Sequence, residues 1–304
     1  MRKVKFKNRN WDTAANLHLP YNFDETQNYP AIVCVHPGGS VKEQTAGLYA
    51  GKLAKKGFIA LAYDASFQGE SGGEPRYLEA PTTRVEDIRY AVDHLTTLNF
   101  VDKNRIGLLG ICAGGGYAAN AALEERRIRA VATVSGVNIG RAFREANFLE
   151  TLEAVSSQRT AEANGAESII TNWTPNSCEE AKKAGINEMD MLEAINYYRT
   201  PRGEFPTSNN KLHFASMPKL IMFDAFHLAD FLLTQPLLVI VGNKVGTFGS
   251  YRDGFDLYKK AASKNKTIHI VNGAGHYDLY DKAEATAEAL DKLVPFFREN
   301  LLQE

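Results

Sequence analysis

Cysteine is scarce in this chain, and its three thiols are too far apart in sequence to form a paired site. Cys34, Cys112 and Cys178 are an odd number with no Cys-x-x-Cys pair, which argues against a structural zinc site or a redox dithiol. This usage is typical of a reducing cytoplasm, so we expect a cytoplasmic protein. The sequence shows no metal-ligand constellation and no cofactor motif, and we expect neither group.

The chain also lacks an excess of charge and a long apolar run. Lys and Arg number 35 against 36 Asp and Glu, so no net field favours nucleic acid or an anionic membrane as a partner. The longest apolar stretches, near Leu237–Val241 and Ala130–Val134, are strand-sized and far below the roughly 18 residues of a membrane span. The basic segment Met1–Lys7 has no apolar run after it, unlike a secretion signal. We expect a soluble protein that acts on small molecules, with homo-oligomerisation left open.

The chain has 304 residues, 44% of them hydrophobic, which allows one large domain with an insertion. Short apolar runs alternate with helical patterns, which indicates an α/β fold with a mostly parallel central sheet flanked by helices. We predict core strands at Ala31–His36, Ile59–Tyr63, Arg105–Gly110, Ala130–Ser135, Leu237–Gly242 and Thr267–Val271. We predict helices at Gln44–Lys56, Thr83–Thr97, Tyr117–Glu125, Asp253–Ser263 and Ala283–Asn300. The segment Lys3–Leu19 is predicted to be an antiparallel lead-in at the edge of the sheet.

A polar, charged and helical segment interrupts this alternation between about Asn138 and Met217. The interval between the flanking core strands is far longer than an α/β unit needs. We therefore predict a helical cap at 138–216, inserted into a core formed by 1–137 and 217–304, over the sheet edge where open α/β sheets bind ligands. A disordered excursion is the alternative, but Trp173, Tyr197 and Tyr198 argue against it.

A glycine-rich turn with Cys112 at its centre follows one of the predicted strands. The segment Gly110-Ile-Cys-Ala-Gly114 is the Gly-x-nucleophile-x-Gly pattern with cysteine as the nucleophile. Its glycines permit a sharp turn, and the next helix directs N–H groups and its positive dipole end at the sulfur. We therefore predict a nucleophile at Cys112, with thiolate favoured over thiol. The alternatives are a small buried side chain in a tight turn and a phosphate loop, but the latter's Gly-x-Gly-x-x-Gly and Walker lysine are absent.

A nucleophile of this kind needs a histidine base and a pair of oxyanion donors. His276 lies in a glycine-bearing loop after the last predicted strand and follows Cys112 in the required chain order. The segment Val35–Ser40 follows the first core strand and is similar to the His-Gly-Gly-Gly loop of esterases. We predict that the backbone N–H groups of Gly38 and Ala113 are the oxyanion donors, with an ordinary Pro-Gly turn as the alternative.

These motifs resemble the dienelactone-hydrolase-like branch of the α/β-hydrolase superfamily, in which cysteine commonly replaces serine. The likeness extends over most of the chain outside the cap and is carried by His36–Gln44, Tyr63–Gly73 and Gly110–Tyr117. Within that branch, the chain looks like a bacterial hydrolase group that also includes fungal polyketide transferases and thiohydrolases. The resemblance implies an α/β-hydrolase fold with an inserted cap, and ester, lactone or thioester substrates.

The acid of the catalytic triad is missing from the position that the superfamily uses. The loop after the penultimate core strand, Asn243–Ser250, contains no carboxylate. Asp253 is our candidate for the acid, with Asp224 and Asp230 as alternatives. A thiol is acidic enough for a Cys–His pair to function without a strong third member. Glu43 lies near the oxyanion loop, where a glutamate holds the thiol in dienelactone hydrolase, but the spacing does not equate the two.

The sequence therefore predicts a hydrolase that cleaves a small-molecule ester, lactone or thioester through a cysteine acyl-enzyme, with His276 as general base. One alternative is an acyltransferase that uses the same acyl-enzyme. Another is a non-catalytic homologue that binds a small ligand, which an ordinary rather than depressed pKa of the Cys112 thiol would favour. A serine esterase using Ser71 or Ser135 is disfavoured, because neither lies in a Gly-x-Ser-x-Gly turn between strand and helix.

Overall fold

The structure of the protein is a computed structural model that describes residues 1–302. The fold is built around an eight-stranded sheet. The strands are β1 (Arg2–Asn8), β2 (Trp11–His18), β3 (Tyr29–Val35), β4 (Ile59–Tyr63), β5 (Val101–Ile111), β6 (Ile128–Val134), β7 (Ile170–Asn172), β8 (Lys211–His213), β9 (Leu237–Gly242) and β10 (Lys266–Val271). The order in the main sheet is β1-β2-β4-β3-β5-β6-β9-β10. Strand β2 pairs antiparallel with β1 and β4, and the remaining pairs of this sheet are parallel.

Helices cover both faces of the sheet. They are α1 (Thr45–Ala54), α2 (Pro81–Thr96), α3 (Ala113–Glu124), α4 (Ile139–Arg144), α5 (Phe148–Ala163), α6 (Cys178–Lys183), α7 (Met189–Tyr198), α8 (Met217–Met222), α9 (Ala229–Leu232), α10 (Ser250–Lys260), α11 (Asp278–Asp281) and α12 (Ala283–Leu302). None of these helices of residues 1–302 is both long enough and apolar enough to cross a lipid bilayer.

Successive residues of the buried strands point to opposite faces and pack into two separate cores. In β3, Ala31 and Val33 belong to one core, whereas Ile32 and Cys34 belong to the other. Helices α2, α3 and α10 cover the first face, and α1, α11 and α12 cover the second. Every residue of β4 and β9 is buried, which explains why both strands read as continuous apolar runs.

The mostly parallel sheet with flanking helices confirms the predicted fold class, and the antiparallel lead-in is β1 and β2. Among the predicted helices, the first residue is most in error for α3, which we predicted to begin at Tyr117 and which begins at Ala113. Glycine is a poor helix former, so Gly114–Gly116 concealed the first turn. Close packing compensates, because a Cβ on Gly115 would lie 2.7 Å from the Cα of Gly136.

The segment predicted as a helical cap, 138–216, contains α4 to α7 and also the antiparallel pair β7–β8. The prediction missed this pair because three-residue strands are too short to show a hydrophobic period. It also missed α8 and α9, two short helices in the segment that leads back to β9. Helices α4 and α5 pack against α8, so the inserted segment is connected to the core through this return path.

Candidate active site

Cys112 occupies the sharp turn between β5 and α3, at the carboxyl end of a central strand. Its backbone has φ 54° and ψ −126°, a conformation that costs a non-glycine residue on the order of 1–3 kcal/mol. The Cys112 N–H donates to the Val134 carbonyl at 3.1 Å. The Cys112 carbonyl accepts the N–H groups of Gly115 at 2.8 Å and Val137 at 2.9 Å. Neighbouring backbone therefore maintains the strain, and the side chain lines a cavity.

The two glycines of this turn are required by close backbone contacts. A Cβ on Gly110 would lie 2.2 Å from the Gly114 carbonyl oxygen. A Cβ on Gly114 would lie 2.4 Å from the carbonyl oxygen of Val35, at the end of β3. Because real Cβ atoms do not approach oxygen so closely, the glycines allow the start of α3 to contact the loop after β3.

The Cys112 thiol is protonated in the resting protein, contrary to the predicted preference for thiolate. Burial raises its pKa to about 11, although the Tyr280 hydroxyl and the Ala113 N–H, which can donate to the thiolate form, lower it. The charge of the buried Arg84 acts in the same direction as these donors. The prediction of a depressed pKa is therefore wrong for this state. An enzyme that used this thiol would remove its proton during attack rather than beforehand.

His276 lies in the loop between β10 and α11 and is only 4% exposed. Its Nε2 atom lies 3.2 Å from the Tyr280 hydroxyl oxygen, and its carbonyl accepts the Ser135 hydroxyl at 3.3 Å. Burial lowers the pKa of the imidazole to about 3, so the ring is neutral at physiological pH and is able to accept a proton. The Nδ1 atom is buried and has no hydrogen-bond partner within residues 1–302.

Tyr280 connects the two predicted residues, and the sequence analysis missed it. Its hydroxyl lies 3.2 Å from His276 Nε2 and is close enough to the Cys112 thiol to lower the pKa of that thiol. Tyr280 follows His276 by four positions and lies on the one-turn helix α11. Side chains four residues apart face the same side only where the chain is helical, and His276 precedes α11, so this spacing alone was a weak signal. The structure thus brings Cys112 and His276 together with a phenol bridging them.

The predicted oxyanion loop, Val35–Ser40, lies beside the sharp turn Gly110–Gly114, which we call the elbow. Gly38 and Ala113 line the same cavity as Cys112, and their role as donors stays a prediction. The inserted segment covers the loop, because a Cβ on Gly39 would lie 2.7 Å from the Trp173 indole. Gly39 has a φ of 67°, which favours glycine on conformational grounds as well.

His36 is buried beneath the oxyanion loop and has contacts that hold the loop in place. Its Nε2 atom accepts the Ala65 N–H at 3.0 Å, which leaves Nδ1 to donate to the Pro37 carbonyl at 2.7 Å. Arg84 donates to the His36 carbonyl at 2.5 Å. Burial lowers the pKa of His36 well below its ordinary value. These contacts give His36 a structural role beneath the loop.

A cavity of about 350 Å³ opens over Cys112. Apolar side chains of the inserted segment form much of its wall, among them Ile139, Phe143 and Met191. Arg199 is the one formally charged side chain among the lining residues. An apolar wall with few polar groups is typical of sites that bind small organic molecules.

Asp253, the candidate acid, is bound by the inserted segment rather than by His276. Its carboxylate accepts hydrogen bonds from Arg141 at 2.5 and 3.0 Å and from the Asn138 N–H at 2.8 Å. These contacts attach α4 to the start of α10. The structure therefore brings Asp253 to the base of the insertion, and its contacts there do not include the imidazole.

The other carboxylates that we considered also have partners elsewhere. Asp224 accepts the Asn138 side-chain amide and the Phe226 N–H, and Asp230 is exposed. Glu43 forms an ion pair with Lys42 at 2.9 Å. Within residues 1–302, none of these carboxylates forms a hydrogen bond with the imidazole. This agrees with the unpartnered Nδ1 atom of the histidine and leaves the acid unassigned.

We expect Asp253→Asn to lower the free energy of unfolding by about 2 kcal/mol, because it weakens charge-assisted hydrogen bonds to a largely buried carboxylate. The turnover of the folded enzyme should change less than tenfold, whereas loss of a true triad acid costs about 10⁴-fold. Urea unfolding and p-nitrophenyl acetate hydrolysis measure the two effects. The matched control is Asp256→Asn on the same helix, whose exposed pair with Lys260 should contribute less than about 0.5 kcal/mol. A large loss of turnover with unchanged stability would restore Asp253 as the acid.

The strand order, the strained turn after β5 and the cavity at the carboxyl ends of the strands define an α/β-hydrolase. The family model described as serine aminopeptidase, S33, matches residues 27–181. The chain belongs to this family of hydrolases and is an enzyme of the α/β-hydrolase class, with a cysteine at the centre of its elbow.

Three comparisons show how far this likeness extends. The chain is 47% identical to the Escherichia coli K12 protein YcjY, described as uncharacterized, over 98% of this chain and 99% of that protein. The crystal structure of hypothetical protein PA2218 from Pseudomonas aeruginosa superimposes with a TM-score of 0.89 at 32% identity, covering 99% of this chain and 93% of that one. The acyltransferase drtE of Aspergillus calidoustus is 27% identical over 97% of this chain and 95% of its own length.

Proposed function

We propose that the protein hydrolyses an ester, lactone or thioester of a small molecule through an acyl-enzyme on Cys112, with His276 as the general base. The strained elbow is the observation that carries this proposal. A cysteine with φ 54° lines a cavity together with a tyrosine whose hydroxyl lies 3.2 Å from a histidine nitrogen. Strain of this kind persists where surrounding structure maintains it, and it is concentrated at functional sites.

The reaction begins with the substrate carbonyl beside Cys112 and the acyl group against the apolar wall. The sulfur attacks the carbonyl carbon while its proton leaves towards the neutral imidazole of His276. Backbone N–H groups of Gly38 and Ala113 stabilise the oxyanion, a contribution of about 3 kcal/mol for each donor. The alcohol or thiol leaves as a protonated group, and an acyl-thioenzyme remains. Water, deprotonated by the imidazole, then attacks the thioester and releases the acid.

Acyl transfer is a second candidate, and the similarity to the acyltransferase drtE over nearly the whole chain favours it. Transfer and hydrolysis share the acyl-enzyme and differ only in whether water or a bound alcohol or amine attacks it. The wall that the inserted segment contributes to the cavity is where such an acceptor would bind. Adding an alcohol to the hydrolysis assay and quantifying the ester product distinguishes the two reactions.

The proposal is tested by locating the acyl group after brief treatment with p-nitrophenyl acetate. We expect one acetyl adduct on the intact protein, carried by the tryptic peptide of residues 106–126, which contains Cys112. The exposed Cys178 is an internal control for non-specific acylation and should stay unmodified. Absence of any adduct, or an adduct distributed equally among the cysteines, would refute the proposal.

A further inference from the structure

Tyr280, which lines the cavity, is held by backbone and ring contacts on its other sides. Its carbonyl accepts the Thr45 hydroxyl at 3.0 Å, and its N–H donates to the Tyr277 carbonyl at 3.2 Å. The ring is fully buried and packs edge-on against Tyr197, with ring centroids 5.0 Å apart. The hydroxyl therefore has little freedom to move away from the two groups that it faces, the Cys112 thiol and His276 Nε2.

We propose that Tyr280 is a catalytic residue that passes the proton between Cys112 and His276 and then protonates the leaving group. This inference rests on the proposed acyl-enzyme mechanism and adds a residue to it. The thiol proton moves to the phenol oxygen as the phenol proton moves to Nε2, so the phenol remains neutral and an imidazolium forms. When the sulfur–acyl bond has formed and the bond to the leaving group breaks, the phenol gives its proton to the leaving oxygen or sulfur. The imidazolium then returns a proton to the phenol.

A phenol suits this role because it donates one hydrogen bond while it accepts another. The hydroxyl lies 3.2 Å from Nε2, which is within the range for proton transfer. The titratable groups that face it from the surrounding elements are Cys112, Tyr197, Tyr198, Tyr277 and His276. Burial raises the pKa of Tyr280 well above its ordinary value, so the phenol is protonated in the resting state, as the relay requires.

Tyr280→Phe tests the relay, because it removes the hydroxyl and keeps the ring. The readout is kcat/KM for two acetate esters, one with an alkyl alcohol as leaving group and one with p-nitrophenol. An alkoxide needs a proton to leave and p-nitrophenolate does not. We therefore expect a loss of about 100-fold or more for the alkyl ester, the usual range for general acid–base catalysis, and a clearly smaller loss for the aryl ester.

The matched control is Tyr197→Phe, which removes a hydroxyl from the adjoining ring that does not line the cavity. It should leave both values of kcat/KM within about twofold of wild type. An equal loss for both esters in Tyr280→Phe would overturn protonation of the leaving group by the phenol, and an equal loss with an unshifted pH profile would indicate a structural role and overturn the whole relay. So would unchanged values for both, which would mean that His276 reaches the thiol without the phenol. Melting temperatures of both variants identify a folding defect.

The outcome for the relay is separable from that for the acyl-enzyme. Wild-type protein that forms no adduct on residues 106–126 contradicts the nucleophile itself. Wild-type protein that forms the adduct, together with a Tyr280→Phe variant that forms it at the same rate, contradicts only the relay. Acylation rates measured from pH 6 to 9 add a second criterion. We expect the pH profile to shift in Tyr280→Phe and to remain unchanged in Tyr197→Phe.

Discussion

Cys112→Ala is expected to abolish the acyl adduct and to lower esterase turnover by on the order of 10⁴-fold or more, as removal of a nucleophile does in other hydrolases. The variant keeps a Cβ at φ 54°, so the elbow retains the same backbone strain. Cys112 is only partly buried where it packs against the two cores, and the variant loses a single sulfur atom, so we expect a small change in melting temperature. Intact-protein mass spectrometry and p-nitrophenyl acetate hydrolysis measure the two losses.

Two variants calibrate this result. Cys112→Ser places a hydroxyl in the same turn and should show intermediate turnover, because an alcohol is a weaker acid than a thiol and the neutral imidazole must remove its proton. Cys178→Ala replaces an exposed cysteine on α6 and should retain both adduct and turnover. Undiminished turnover in Cys112→Ala would leave the thiol as a lining group of the cavity and require another nucleophile.

The reliable predictions from sequence were those that depended on local pattern. Strands β4 and β9 were predicted with their observed ends, because each is buried on both faces and bounded by turn residues. The Gly-x-Cys-x-Gly pattern of the elbow could also be recognised in the sequence, because backbone contacts between neighbouring segments require its glycines. Helix α3 was predicted too short, because the glycines that the elbow needs are poor helix formers.

The parts that sequence did not reveal depend on contacts between distant residues. Arg141 binds Asp253 across 112 positions, so the carboxylate that looked available for catalysis is already bound. The depressed thiol pKa was predicted from the N–H groups and the dipole of α3, and burial of the side chain outweighs both. Tyr280 was missed for a different reason: its spacing from His276 becomes meaningful only once α11 is known to be helical.

A buried lysine next to the oxyanion loop carries the largest expected effect on stability. Lys42 is 1% exposed, and its ammonium group contacts Asp64 at 2.8 Å, Glu43 at 2.9 Å and Glu70 at 2.5 Å. Asp64 is fully buried, and burial raises its pKa although Lys42 lowers it. The Asp64 carboxylate also accepts the backbone N–H of Lys42 at 2.8 Å. This pair therefore fixes the chain immediately after the loop that contains Gly38.

Lys42→Met is expected to lower the free energy of unfolding by about 3–5 kcal/mol, because it leaves the buried Asp64 carboxylate without its cation. The loop should shift as well, so turnover of the folded fraction should also fall. Lys7→Met is the matched control: its pair with Asp12 is exposed, and its loss should cost less than about 1 kcal/mol.

Urea unfolding at several pH values checks the cause. Without the ammonium group, the pKa of Asp64 rises further above its unfolded value, so the native variant binds a proton more readily than the unfolded chain does. The loss in the free energy of unfolding relative to wild type must then become smaller as the pH falls below neutrality. A loss that is independent of pH would mean that missing packing of the lysine side chain, rather than the uncompensated carboxylate, destabilises the protein.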